Sequence, residues 1–334
     1  MKKGQALLLL LTTILLLFLQ LSSGSVSIPL VGIWETLTLQ PGVEETHRII
    51  LWDSRIPRTM TAALAGAALS WSGMLMQTLF RNPLAGPSML GISSGASLGV
   101  ALLVLGTGGT VHLAGLSGSV SIASAAFFGA FGLLSIVLLV SHRFANESTL
   151  LIFGIMLTYF TSAMVDALQS RAGSEALKSY ISWGMGNFGD CNYSELTILL
   201  LALFLSIAIT IYILPRLNLL TLGDHYAQTM GVDIKRTRVL IMIATGFMAG
   251  CATAFCGPIS FIGLAVPHMS RWLTHTGDHR KNLPTTLWLG ACIALACDWM
   301  SRMSALPLNT IASALGAPFV IVLVLKWKRF SSMI

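Results

Sequence analysis

The sequence predicts an all-α integral membrane protein: one polytopic domain of ten spanning helices with short broken helices and no soluble domain. Three observations predict it. Of 334 residues, 54% are hydrophobic and only 10% are charged, whereas globular domains carry roughly 25% charged residues. The apolar residues fall into runs near the ~20 residues a spanning helix needs, without the period-2 alternation of membrane barrels. The basic residues alternate between the two sides that those runs define.

The first run is 5–21. Lys2-Lys3 ahead of it and Ser22-Ser23-Gly24 behind it also suit a cleaved signal peptide. The apolar core is long for one and no A-x-A site follows, so a retained helix is expected. The interval 22–58 is the longest polar stretch, yet it holds Val31, Ile33, Trp34 and Leu37. Runs at 59–80 and 87–105 are rich in Gly, Ala and Ser, which let helix backbones approach closely. Runs at 119–140, 149–169, 195–214 and 239–256 follow. The run 259–270 is too short to span as a straight helix. Gly257-Pro258 opens it and Pro267 interrupts it, so a broken or tilted element packed against protein is expected. Runs at 285–303 and 308–326 close the set.

With the N-terminus inside, fourteen of the twenty Lys and Arg residues face the cytoplasm. Arg48, Arg55, Arg58, Arg171, Lys178 and Arg302 face out. The formal charge of +7 thus sits mostly where anionic lipid headgroups attract it, and it does not indicate nucleic-acid binding.

Cys251, Cys256, Cys292 and Cys297 lie in apolar runs, and with Cys191 they form no C-x-x-C. They are expected to be packing residues rather than metal ligands. The motif H-E-x-x-H and the phosphate loop G-x-x-x-x-G-K-[ST] are absent, and no catalytic residue or metal site is assigned. His268, His275 and His279 surround one cytoplasmic loop. Asp166 and Asp298 fall near the outer ends of the fifth and ninth runs. Asp298 precedes Arg302 by four residues, which allows a helical ion pair. Arg55-Ile56-Pro57-Arg58 stands at an outer helix start, where proline is well placed. Two arginines there oppose the positive-inside bias, so they either anchor to headgroups or meet an acidic partner.

These residues carry a resemblance. Arg55-Ile56-Pro57-Arg58, Ala65-Gly66-Ala67-Ala68-Leu69, Gly73, Gln77 and Arg81-Asn82-Pro83-Leu84-Ala85-Gly86-Pro87 come first. Leu90-Gly91-Ile92-Ser93-Ser94-Gly95-Ala96, Trp183-Gly184-Met185-Gly186 and Leu222-Gly223 with Ala227 and Met230-Gly231 follow. Phe261-Ile262-Gly263-Leu264-Ala265-Val266-Pro267-His268, Arg271, Gly277-Asp278-His279-Arg280, Asp298, Arg302 and Gly316-Ala317-Pro318-Phe319 complete the set. Together they resemble the FecCD/BtuC-like permease family of iron-siderophore, haem and cobalamin ABC importers, over roughly 48–326. One segment departs: Ala305-Leu306-Pro307-Leu308-Asn309 stands where the family usually has Glu-x-Pro-[Val/Ile]-Gly.

The resemblance implies the type II ABC importer fold and a homodimer, or a pair with a homologous permease. It implies two cytoplasmic ABC ATPase subunits that use ATP and Mg, and an extracytoplasmic substrate-binding protein. This chain itself binds no cofactor. By residue matching, Arg55, Arg58 and Arg302 would dock the binding protein. Leu222, Gly223, Ala227, Met230 and Gly231 would form the ATPase coupling loop, and Glu147 and Ser148 the cytoplasmic gate. Iron(III)-siderophore leads as cargo because it is the family's commonest, with haem and cobalamin as alternatives. An ion-coupled secondary transporter would need intramembrane coupling-ion sites, and the central carboxylates are too few. The orientation yields a test: reporter fusions should place both termini and the 222–231 loop in the cytoplasm. An external C-terminus would refute the assigned sidedness.

Overall fold

The computed structural model describes residues 3–24, 26, 28–38, 44–108, 118–141, 143 and 147–325. The chain runs through α1 (Lys3–Ser22), α2 (Leu30–Leu37), α3 (Glu45–Ile49), a π-helical stretch at Ile50–Arg55, α4 (Ile56–Leu79), a 3-10 turn at Pro87–Leu90 and α5 (Ile92–Val104). It continues through α6 (Gly118–Ser141), α7 (Glu147–Gln169), α8 (Ser174–Gly184), α9 (Tyr193–Leu220), α10 (Asp224–Thr229), α11 (Ile234–Cys256), α12 (Ile262–Thr274), α13 (His279–Ser304) and α14 (Leu308–Leu325). No strand occurs among the described residues. That outcome follows from the medium, because a helix satisfies its backbone polar groups internally where no water can.

Seven described helices are long and apolar enough to cross a membrane: α1, α6, α7, α9, α11, α13 and α14. α4 is 24 residues long yet falls outside that set, because small and polar residues dilute its hydropathy. It is nevertheless the centre of the bundle, packed against α9, α11, α12 and α13. Trp71, Leu75 and Met76 on it are fully buried, and Trp71 Nε1 donates to Thr210 Oγ1 of α9 at 3.1 Å. The run 87–105 divides at Gly91, whose φ of +76° separates the 3-10 turn from α5. The run 195–214 continues through Pro215 to Leu220.

Glycine decides where the backbones meet. A Cβ on Gly66 would overlap the Gly290 carbonyl of α13, and one on Gly73 would overlap the Gly263 backbone of α12. Gly95 and Gly99 of α5 sit equally close to Gly129 and Ala125 of α6. Ser70 adds a polar tie, its hydroxyl donating to the Thr286 carbonyl at 3.0 Å. In lipid such close approach holds helices together through dispersion and interhelical hydrogen bonds rather than the hydrophobic effect.

α1 is tied into the bundle by its few polar residues. Trp288 Nε1 donates to Thr13 Oγ1 at 2.6 Å, and Gln20 Nε2 donates to the Leu295 carbonyl at 2.8 Å. The interval 22–58 folds into α2, α3 and the π-helical stretch around a small cluster of Ile28, Ile33 and Leu51. All five cysteines are free and buried.

Substitution at a crossing tests this packing. Gly73→Ala should lower the thermal midpoint of the purified chain by the equivalent of about 1–3 kcal/mol. Gly132→Ala, where a Cβ meets nothing within 4 Å, should leave it unchanged. Equal midpoints for the two variants would show that the α4–α12 contact is not tight.

Candidate functional site

At the expected cytoplasmic end, α9 stops at Leu220 and the chain reverses into α10. Gly223 (φ +107°) and Gly231 (φ +82°) bracket the reversal, in backbone conformations that glycine adopts at little cost. Ala227 is fully buried beneath α10, while Leu222 and Met230 are 63% and 58% exposed at its two ends. Asp224 holds the element to the bundle: Arg238 Nη2 of α11 donates to its carboxylate at 2.6 Å, and Arg81 approaches it at 4.0 Å. Of the five matched residues, Ala227 lies within this short surface helix and the other four flank its ends, with Leu222 and Met230 making those ends apolar.

Next to it lies a cavity of about 490 Å³ whose lining includes Gln77, Thr78, Arg81, Asn218, Arg271 and His279. Arg271 donates to Met74 Sδ at 2.8 Å and to Gln77 Oε1. Asn218, near the end of α9, joins two neighbours at the start of α13. Its amide donates to Asp278 Oδ1 at 2.7 Å, and its oxygen accepts from His279 N at 2.9 Å and His279 Nδ1 at 2.7 Å. The Arg280 N–H and the Asn218 amide hold the Asp278 carboxyl below its ordinary range. His268 Nε2 donates to the Pro83 carbonyl at 2.7 Å. His268 and His279 thus tie helix ends together, and His275 is exposed. Ser148 is exposed in the first turn of α7, which Glu147 opens. The Glu147 side chain lies outside the described residues.

The chain corner between α11 and α12 collects four of the sequence motifs. Gly257 (φ +74°) and Phe261 (φ +65°) turn the chain, and Asn187 N donates to the Cys256 carbonyl at 2.9 Å. Gly316 of α14 packs against the Phe261 ring. Asn309, in the departing segment, fastens the corner from the other side. Its Oδ1 accepts from Ser260 N at 2.9 Å, and its N–H donates to the Met185 carbonyl at 3.0 Å. A side-chain amide therefore supplies the connection in this segment.

The outer arginines converge on Asp298, which is fully buried. Arg58 Nε and Nη2 fork onto its carboxylate at 2.8–3.1 Å. Arg302 Nε stands 3.3 Å from Oδ2, at ion-pair distance but not aligned for a hydrogen bond. Arg302 also donates to the Ser23 carbonyl at 2.9 Å and to Gln20 Oε1. Arg58 keeps 25% of its side chain exposed. Arg55 is placed differently from Arg58. It is only 5% exposed, and its guanidinium donates to the Leu21 and Val26 carbonyls. The π-helical stretch rotates it inward, where it braces the segment after α1. Sequence reading missed Gln20, Asn218 and Asn309. Their only signal was an amide at the edge of an apolar run, with a partner distant in sequence.

Residues 10–326 match the model of the FecCD transport family. The chain is 36% identical over 284 residues to the vitamin B12 import system permease protein BtuC of Klebsiella pneumoniae, covering 84% of this chain and 83% of that one. It is 32% identical over 334 residues to the molybdate import system permease protein MolB of Haemophilus influenzae, covering 98% and 95%. Among solved structures, a chain described as an inward-facing ABC transporter of metal-chelate type superposes with a TM-score of 0.82. It is 30% identical, with 97% of this chain and 98% of that one covered.

Removing one partner from a buried charge cluster leaves the rest uncompensated, at a cost of about 3–5 kcal/mol. Asp298→Ala should therefore sharply reduce folded yield and thermal midpoint. A double-mutant cycle with Arg58→Ala should show about 0.5–3 kcal/mol of coupling. Additive losses would mean that Arg58 and Asp298 do not stabilise each other.

Proposed function

The chain belongs to the FecCD transport family as the membrane-embedded permease subunit of a type II ATP-binding-cassette importer, and we propose that its cargo is an iron(III)-siderophore or related metal chelate. The observation that carries the mechanism is α10: a short, exposed helix with apolar tips, pinned by the Asp224–Arg238 pair. In this reading α10 inserts into a cytoplasmic ATPase subunit. ATP and Mg are bound by that subunit, and its closure moves α9 and α11 through the two glycine hinges. Two copies of the permease pair around a common path, with both termini in the cytoplasm. The path then opens alternately to each side.

Docking of the loaded binding protein biases that equilibrium, because a partner shifts a balance only by favouring one state. Arg58 is the arginine that reaches solvent, so acidic groups of the binding protein meet it first. Arg55 and Arg302 lie behind it, and three guanidinium groups against the single Asp298 carboxylate leave this cluster positive. Such charge speeds encounter and fixes orientation more than it adds affinity. Ser148, with Glu147 beside it, opens α7 on the cytoplasmic side and would form the inner gate. The metal-chelate relative at 30% identity supports the cargo class. A cobalamin or haem cargo is the alternative within the same family.

Placing charge on the tips of α10 tests the coupling. The double variant Leu222→Asp, Met230→Asp should fold normally, since both residues are exposed. It should lose ATPase co-purification and ATP-driven chelate uptake at least tenfold. Full uptake by this variant would remove α10 from the coupling role.

A further inference from the structure

α7 is long and apolar enough to cross a membrane, yet Thr158, Ser162, Asp166 and Gln169 follow one another at steps of four, four and three. They therefore share one face of the helix. Ser162 and Asp166 on that face are exposed in the chain. Ionisable groups in such a helix are costly against lipid and are characteristically turned to a water-filled space. Here the space is a cavity of about 320 Å³ between α5, α7 and α8, lined by Ser93, Ser97, Ser162, Asp166, Gln169 and Tyr180 among others. Tyr180 and Ser97 both line it. Among the described residues, no cation or donor side chain pairs with the Asp166 carboxylate, and the cavity lining contains no Lys or Arg.

A second cavity adjoins this one. Ser93 also lines a second space, about 280 Å³, that runs past Pro87 to the Phe261 corner. The second is lined by Leu84, and the neighbouring Pro83 lines the cytoplasmic cavity beside Arg271. Shared or neighbouring lining residues thus link the three cavities. Their chemistry changes along the way, from hydroxyls and one carboxylate to a guanidinium-lined inner end.

We propose that the Ser93–Asp166–Tyr180 cavity is the outer cargo-contacting site of this path, and that it accepts neutral or cationic chelates bearing hydrogen-bond donors while rejecting oxyanions. The inference rests on the importer reading and narrows its substrate class. A carboxylate only accepts hydrogen bonds, whereas serine and tyrosine hydroxyls do both. Cargo with amide, hydroxyl or ammonium donors finds acceptors on every side. An oxyanion meets an unpaired carboxylate with no cation to offset it. Family membership leaves the cargo charge open, and Asp166 sets it.

The test uses the chain assembled with its ATPase and binding protein in proteoliposomes, with three probes: a cationic ferric trihydroxamate, an anionic ferric tricatecholate and molybdate. Wild type should take up the cationic chelate at least tenfold faster than either anion. Asp166→Lys should abolish that uptake, Asp166→Asn should reduce it about tenfold, and Asp166→Glu should restore it. Ser162→Ala, which keeps the charge, should leave the charge preference intact while slowing uptake. Thermal midpoints confirm that each variant is folded. Wild-type uptake of the cationic chelate that is indifferent to Asp166→Lys would overturn the site and leave the importer reading standing. Faster uptake of molybdate or of the tricatecholate would overturn the charge preference. ATP-independent uptake of every probe would instead overturn the importer reading itself.

Discussion

A carboxylate buried near the outer end of a membrane helix must be neutralised inside the protein, and Asp298 is that carboxylate. Arg58 at the start of α4 and Arg302 one turn along α13 meet it. The cluster therefore fixes the outer end of the central helix against its principal neighbour. Arg302 then reaches Gln20 and Ser23, so the end of α1 is held by the same charge. The glycine crossings lower in the bundle, Gly66 on Gly290 and Gly73 on Gly263, continue the same α4 seam. α4 is consequently fastened at its outer end by charge and along its length by backbone contact. Its other end leads directly to Arg81, which approaches Asp224 of α10.

Hydropathy made the all-α membrane fold legible, because an apolar run of bilayer length seldom folds as anything but a spanning helix. The glycine and proline punctuation likewise pointed to the corner at Gly257-Pro258. Hydropathy understated α4, whose small and polar residues suit contact with other helices rather than with lipid. The burial of Arg55 was not legible for a different reason. Three-residue spacing places two side chains on one face only in a regular α-helix, and the π-helical stretch at Ile50–Arg55 changes the rotation just before Arg58. Asn309 shows a third case: the departing segment was visible, but its partner, Ser260, lies 49 residues away. Nothing local in the sequence encodes that pairing.

The site residues divide by physical role. Asp298, Arg58 and Arg302 are primarily a buried electrostatic fastening, and only Arg58 offers appreciable surface to a partner. Leu222 and Met230 have the opposite character, being apolar side chains left in water, which suits a surface covered by another subunit. Between these two ends lie the three cavities, linked by shared or neighbouring lining residues. A path of this kind gains selectivity from a few polar groups, and driving force must come from a partner that binds the two ends differently.

That dependence on a partner is the central claim, and uptake of a ferric chelate into sealed proteoliposomes tests it most directly. Vesicles carrying the permease, its ATPase and its binding protein should accumulate the chelate only when Mg-ATP is supplied on the cytoplasmic side. Imposed proton or sodium gradients should have no effect. Accumulation driven by an ion gradient in vesicles containing this chain alone would contradict the account.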